Sequence, residues 1–116
     1  MQVHVIVRID GAPLKLDKPA TLLVEAMDVS LVDAPSVTLS RSKIFVTSVQ
    51  GEEIAAITLP LPDDVDSSAD VNIWCHLSLS GQDRIQQGDY LSMEAYPVPM
   101  TDATVSITVT LRRVGD

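Results

Sequence analysis

The 116-residue chain carries a formal net charge of −8, which repels phosphate backbones and anionic lipid headgroups. Its 8 lysines and arginines are scattered and build no basic patch, so no nucleic-acid partner is expected. One cysteine, Cys75, excludes an intramolecular disulfide, and no apolar run approaches membrane-spanning length, so no membrane insertion is expected.

The length fits one domain spanning residues 1–116. Its opening, MQVHVIVRID, reads as a strand and lacks the basic, apolar and small-residue regions of a signal peptide. As written the chain is expected to be soluble. It is cytoplasmic if Met1 is the true start and belongs to the cell envelope or periplasm if a leader was removed.

Alternation with a period of two dominates the chain. Val3, Val5, Val7 and Ile9 share one face, with Gln2, His4, Arg8 and Asp10 opposite. Asp10-Gly11 and Pro13 break this strand. Residues 21–27 form the next, with Leu22, Val24 and Ala26 on one side and Leu23, Glu25 and Met27 on the other. Asp33-Ala34-Pro35-Ser36 is a turn signal, because proline presets φ and Asp and Ser bond the local backbone.

The following strand changes phase. Val37 and Leu39 share one side and Ile44 and Val46 the other, which predicts a bulge or break near residues 41–43. Gln50-Gly51-Glu52 is a turn, and residues 54–59 are a short strand of open phase. A polar loop with Pro60 and Pro62 leads to the clearest strand. In it Val71, Ile73, Cys75, Leu77 and Leu79 point one way, and Asn72, Trp74, His76 and Ser78 the other.

Ser80-Gly81-Gln82-Asp83 signals a hairpin. Residues 89–95 then read as a strand with Leu91, Met93 and Ala95 inward. The last strand points Val105, Ile107, Val109 and Leu111 inward. No window has a helical period. About seven strands with frequent turns predict an all-β, antiparallel β-sandwich, immunoglobulin-like in architecture, with a small open barrel as the alternative.

No nucleophile, base and orienting group fall into a recognisable signature, so no catalytic residue is assigned and the chain is read as a non-enzyme. No cofactor is expected. Cys75 sits in the apolar phase of its strand and reads as a small core residue. Asp63 to Asp70 is acidic but lacks the glycine and terminal glutamate of an EF-hand loop, so a solvated loop is preferred to a calcium site. Two distant histidines do not make a zinc site.

Trp74 stands opposite the aliphatic run of its strand, with His76 on its flank. A tryptophan there is either covered by a loop or is an exposed anchor of the kind that dominates interfaces. Tyr90 and Tyr96, if outward on the neighbouring strand, extend the patch. The candidate protein-binding patch is therefore Trp74, His76, Tyr90 and Tyr96. A protein or peptide partner is expected there or at a strand edge, and the chain itself is a monomer or an edge-strand homodimer.

Two segments exceed a generic β pattern. One is Met27-Asp28-Val29-Ser30-Leu31-Val32-Asp33-Ala34-Pro35-Ser36. The other is Gly88-Asp89-Tyr90-Leu91-Ser92-Met93-Glu94-Ala95-Tyr96-Pro97-Val98. In this order, with residues 71–79 and Gly81 between them, they resemble the YbaY/YscW-like family over about residues 2 to 113. The resemblance implies a small β-sandwich of the kind found in bacterial envelope lipoproteins. One branch of that family is the pilotins, which help an outer-membrane secretin of type III secretion localise and assemble. A lipobox cysteine is not found near the start. Asp28, Asp33 and Pro35 match the motif and read as turn residues. The function these readings imply is a non-catalytic binding or accessory domain, with a structural, self-associating β domain as the alternative.

Overall fold

The computed structural model describes residues 1–11, 14–31, 33–49, 51–101 and 103–115. Pro13, Val32 and Gln50, each part of a turn or motif in the sequence reading, lie outside the described residues. Seven strands form: β1 (Gln2–Ile9), β2 (Ala20–Asp28), β3 (Val37–Val46), β4 (Glu53–Pro60), β5 (Val71–Ser78), β6 (Tyr90–Ser92) and β7 (Val105–Arg113). No helix appears among the described residues.

The strands join into one sheet in the order β3-β2-β5-β6-β7-β1-β4. It is nearly closed: its two outer strands, β3 and β4, come near each other without pairing. The expected sandwich is thus two strand groups linked through the short β6. One pair departs from the expected antiparallel pattern. β1 and β7 run parallel, from Val3↔Val105 to Ile9↔Leu111, because β7 crosses over to reach β1 rather than returning by a hairpin.

Alternation fixes what is inside. Val3, Val5 and Val7 of β1, Leu22, Val24 and Ala26 of β2, and Cys75 and Leu77 of β5 are fully buried. Val109 and Leu111 of β7 join them, and Val105 and Ile107 pack against the same core. Burying an aliphatic side chain of this size stabilises by roughly 1.5–3 kcal/mol, so this cluster is the main favourable term. β4 resolves its phase through β1: Leu59, Ile57 and Ala55 oppose Val3, Val5 and Val7 and share their face.

The predicted break in β3 is present, slightly earlier than expected. Ala26 pairs with Ser40 and Met27 with Thr38, so Leu39 is the extra residue of a bulge. The predicted hairpin at residues 80–83 is a longer loop: β5 ends at Ser78 and β6 begins at Tyr90. Gly81, at φ 82°, makes one of its turns.

β6 is the clearest departure. It spans three residues rather than seven, and its phase is reversed. Leu77 opposes Tyr90 and His76 opposes Leu91, so Tyr90 faces the core and Leu91 the outer face. Ser92 takes the inner position expected of an apolar residue. It can do so because its Oγ accepts from Cys75 N–H at 2.9 Å and donates to Cys75 C=O at 3.3 Å. Met93 and Ala95, expected inward, are exposed.

Candidate functional site

The outer face of β3, β2, β5 and β6 is laid out by register. One row runs Lys43, Leu23, His76, Leu91; the next runs Arg41, Glu25, Trp74; a third runs Phe45, Thr21, Ser78. Trp74 is therefore on the outer face, as its alternation implies, but only half exposed. Its ring lies 5.9 Å from that of His76, tilted by 56°. Glu25 beside it is held by Arg41 at 3.7 Å and accepts from Thr38 Oγ1 at 3.2 Å. Phe45, two strands away, is 76% exposed and is the largest bare ring of this face.

His76 is not a surface residue. It is 2% exposed, flanked by Leu23 and Leu91 on the neighbouring strands, and its Nε2 donates to Asp89 Oδ2 at 2.8 Å. Asp89 is equally buried and also accepts from Leu79 N–H at 3.1 Å and Gln86 N–H at 3.0 Å. Burial alone would raise its carboxyl. The hydrogen bonds from His76, Leu79 and Gln86 outweigh that and hold it below the usual aspartate range. The pair clips the 79–89 loop back onto β5. Gly88, at φ 92°, supplies the turn that delivers Asp89 to it.

The four aromatic-ring residues of the sequence patch do not share a face. Trp74 and His76 do, side by side on β5, with His76 the more buried. Tyr90 and Tyr96 pack against the core instead. The cause is the reversed phase of β6, carried onward by Ile73 N–H to Tyr96 C=O at 3.0 Å and by the bridge Asn72↔Pro97. The Tyr96 hydroxyl accepts from Thr110 N–H at 3.1 Å and donates to Thr110 C=O at 3.2 Å, tying this segment to β7. Sequence reading overlooked Leu91, Phe45 and Asp89. The Gly88-Asp89 pair ahead of a strand was the available signal for the last.

The remaining reactive groups have structural settings. Cys75 is wholly buried, and burial pushes its thiol up to about 12. In the acidic loop, Asp66 accepts from both Ser68 N–H and Ser68 Oγ at 2.8 Å, a local turn that lowers its carboxyl. Asp28 makes the equivalent bond to Ser30 N–H at 2.9 Å, which is the turn role its motif implies. Among the described residues no group of three or more His, Cys, Asp or Glu converges for a metal ion. Surface hollows of about 300, 210 and 130 Å³ are lined by residues other than His76, Asp89 and Cys75.

No family model matches the chain, and no curated protein matches it. A solved structure does: an alternative pilotin from the type II secretion system of Vibrio cholerae. The TM-score is 0.79 at 19% identity, covering 100% of this chain and 98% of that one. The seven-stranded, nearly closed sheet described above is thus the fold of that pilotin, from end to end.

Proposed function

We propose that this chain is a non-catalytic accessory domain that binds a protein component of a bacterial secretion system, in the manner of a pilotin. The observation that carries this reading is the end-to-end match of its fold to a type II secretion pilotin. The motif segments at residues 27–36 and 88–98 add the YbaY/YscW-like resemblance, whose pilotin branch serves type III secretion. A secretin is the partner class both point to. Trp74, next to His76 on β5, is the aromatic contact point of this reading, with the exposed ring of Phe45 farther along the same face on β3, while Tyr90 and Tyr96 pack against the core.

The experiment is genetic and direct. Deleting the gene in its own host should reduce secretin multimers in the outer-membrane fraction, and the purified chain should bind the carboxy-terminal segment of one secretin from the same genome by calorimetry. Whichever secretin binds identifies the secretion system. Unchanged multimers together with no binding by any secretin segment would overturn the reading.

A further inference from the structure

The strand directions gather one set of connections at one end of the sheet. β1, β3, β5 and β7 start there, and β2, β4 and β6 finish there. Hydrogen bonds stitch these connections into a fixed platform. Val29 N–H donates to Asp70 C=O at 2.8 Å, and Asp70 N–H donates to Ser30 Oγ at 2.9 Å. Leu61 N–H reaches Met1 C=O at 3.0 Å, and Val98 N–H reaches Val71 C=O at 2.8 Å.

Apolar side chains stand uncovered on this platform. Leu31 is 71% exposed and Val29 is 39% exposed. Val29 also walls the hollow of about 210 Å³, together with Val71, Pro97 and Val98. The hollow of about 300 Å³ has Leu61, Val65 and Met100 among its walls. Both take walls from the 61–70 and 97–101 segments. Neither exceeds the lower limit of a small-molecule site, roughly 300–1,000 Å³, so both suit single side chains of a larger partner.

Charge names that partner. Asp63 lines the larger hollow and Asp70 the smaller, and Asp28, Asp33, Asp64 and Asp66 belong to the same end. None of these carboxylates makes an ion pair among the described residues. No lysine or arginine lies among them. The chain's 8 cations are in β3 from Arg41 onward, in the far halves of β1 and β7, or in the connections of the opposite end. There the described acidic and basic side chains balance in number, so the excess negative charge of the described chain is gathered at this one end. A second copy is a poor occupant: its own acidic end repels, and its opposite end is charge-balanced.

We propose that this end of the sheet docks a short basic segment of another protein. Large aliphatic side chains of that segment enter the two hollows, and flanking lysines or arginines face Asp63, Asp64 and Asp70. This goes beyond the accessory role. It adds a second contact surface, distinct from the outer face that carries Trp74, and specifies the chemistry of what it takes.

The test uses the full chain and a labelled peptide of two leucines among serines, with a pair of lysines at each end. Backbone amide signals should shift at residues 29–31, 61–70 and 97–101, and not at Trp74 or Phe45. Serine in place of both leucines should weaken binding ~10-fold, and glutamate in place of the lysines should abolish it. Asp63→Asn with Asp64→Asn and Asp70→Asn should weaken the lysine peptide ~10-fold at low salt without lowering the unfolding midpoint. Asp63→Lys with Asp64→Lys should turn the preference to the glutamate peptide. Equal binding with leucine or serine would mark only a diffuse attraction to an acidic chain and would overturn the proposal. So would shifts centred elsewhere, no binding of the lysine peptide, or a dimer that buries this end. A secretin indifferent to the chain would remove the accessory role and leave measured docking here standing. A dependent secretin with none of these shifts would do the reverse.

Discussion

His76 Nε2 and Asp89 Oδ2 meet at 2.8 Å with both side chains almost sealed from water. An ionised carboxylate only accepts, so the imidazole donates through Nε2 and its ring is held beside that of Trp74. The same carboxylate holds two backbone N–H groups of the preceding loop. Removing it strands three donors at once. Asp89→Ala should lower stability by about 3 kcal/mol in denaturant titrations and speed amide exchange at Leu79 and Gln86.

The pair also sets an acid limit. An unfolded aspartate titrates near about 3.9, and folded Asp89 lies below that. Its contribution is therefore complete above the unfolded value and drains away as pH falls toward the folded one. Asp89→Asn should flatten the stability profile below about pH 4 relative to the parent chain. Superimposable acid limbs would count against a charged Asp89.

Tyr96 is braced rather than presented. Both of its hydroxyl bonds go to the backbone of Thr110. Tyr96→Phe keeps the ring in place and removes both, which should cost about 1–2 kcal/mol. The readout specific to this contact is the Thr110 amide, whose exchange should accelerate more than that of its β7 neighbours.

A thiol wholly buried and pushed up to about 12 by that burial is inert at ordinary pH. An aromatic disulfide reagent at pH near 8 should label Cys75 at the rate of global unfolding, and at once in denaturant. Because the folded thiol titrates above the unfolded one, its share of stability is full below the unfolded value and is lost as pH rises toward 12.

Trp74 lies between the two settings that sequence reading allowed. Half-buried beside His76, it should emit at an intermediate wavelength, and Trp74→Ala should cost about 1–2 kcal/mol rather than the ~3–5 of a core tryptophan. Phe45→Ser, on the same face, should shift stability by no more than about 0.5 kcal/mol. Equal costs for the two would mean that the indole is as bare as the phenyl ring.

Strands with one greasy face declared themselves in the sequence. Val3 to Ile9 and Val71 to Leu77, apart from Ile6 and Trp74, alternate apolar with polar residues, so their inner faces could be read directly. β6 was misread because two assumptions fail there together. Ser92 is polar yet interior, since the Cys75 backbone satisfies it, and Leu91 is apolar yet outer, since it helps cover the half-sealed row around His76. Alternation sees hydrophobicity and not hydrogen-bond partners, so it placed Tyr90 and Tyr96 beside Trp74 when they belong to the core. Leu23, outward by phase, is buried for the same reason as Leu91: this face carries a second, smaller apolar layer.

The parallel seam between β1 and β7 has a kinetic meaning. β1 finds one of its two neighbours only when β7, about a hundred residues further along the chain, has formed, so this flank of the first strand closes late. Removing β7 should leave Val3, Val5 and Val7 without the wall that seals them.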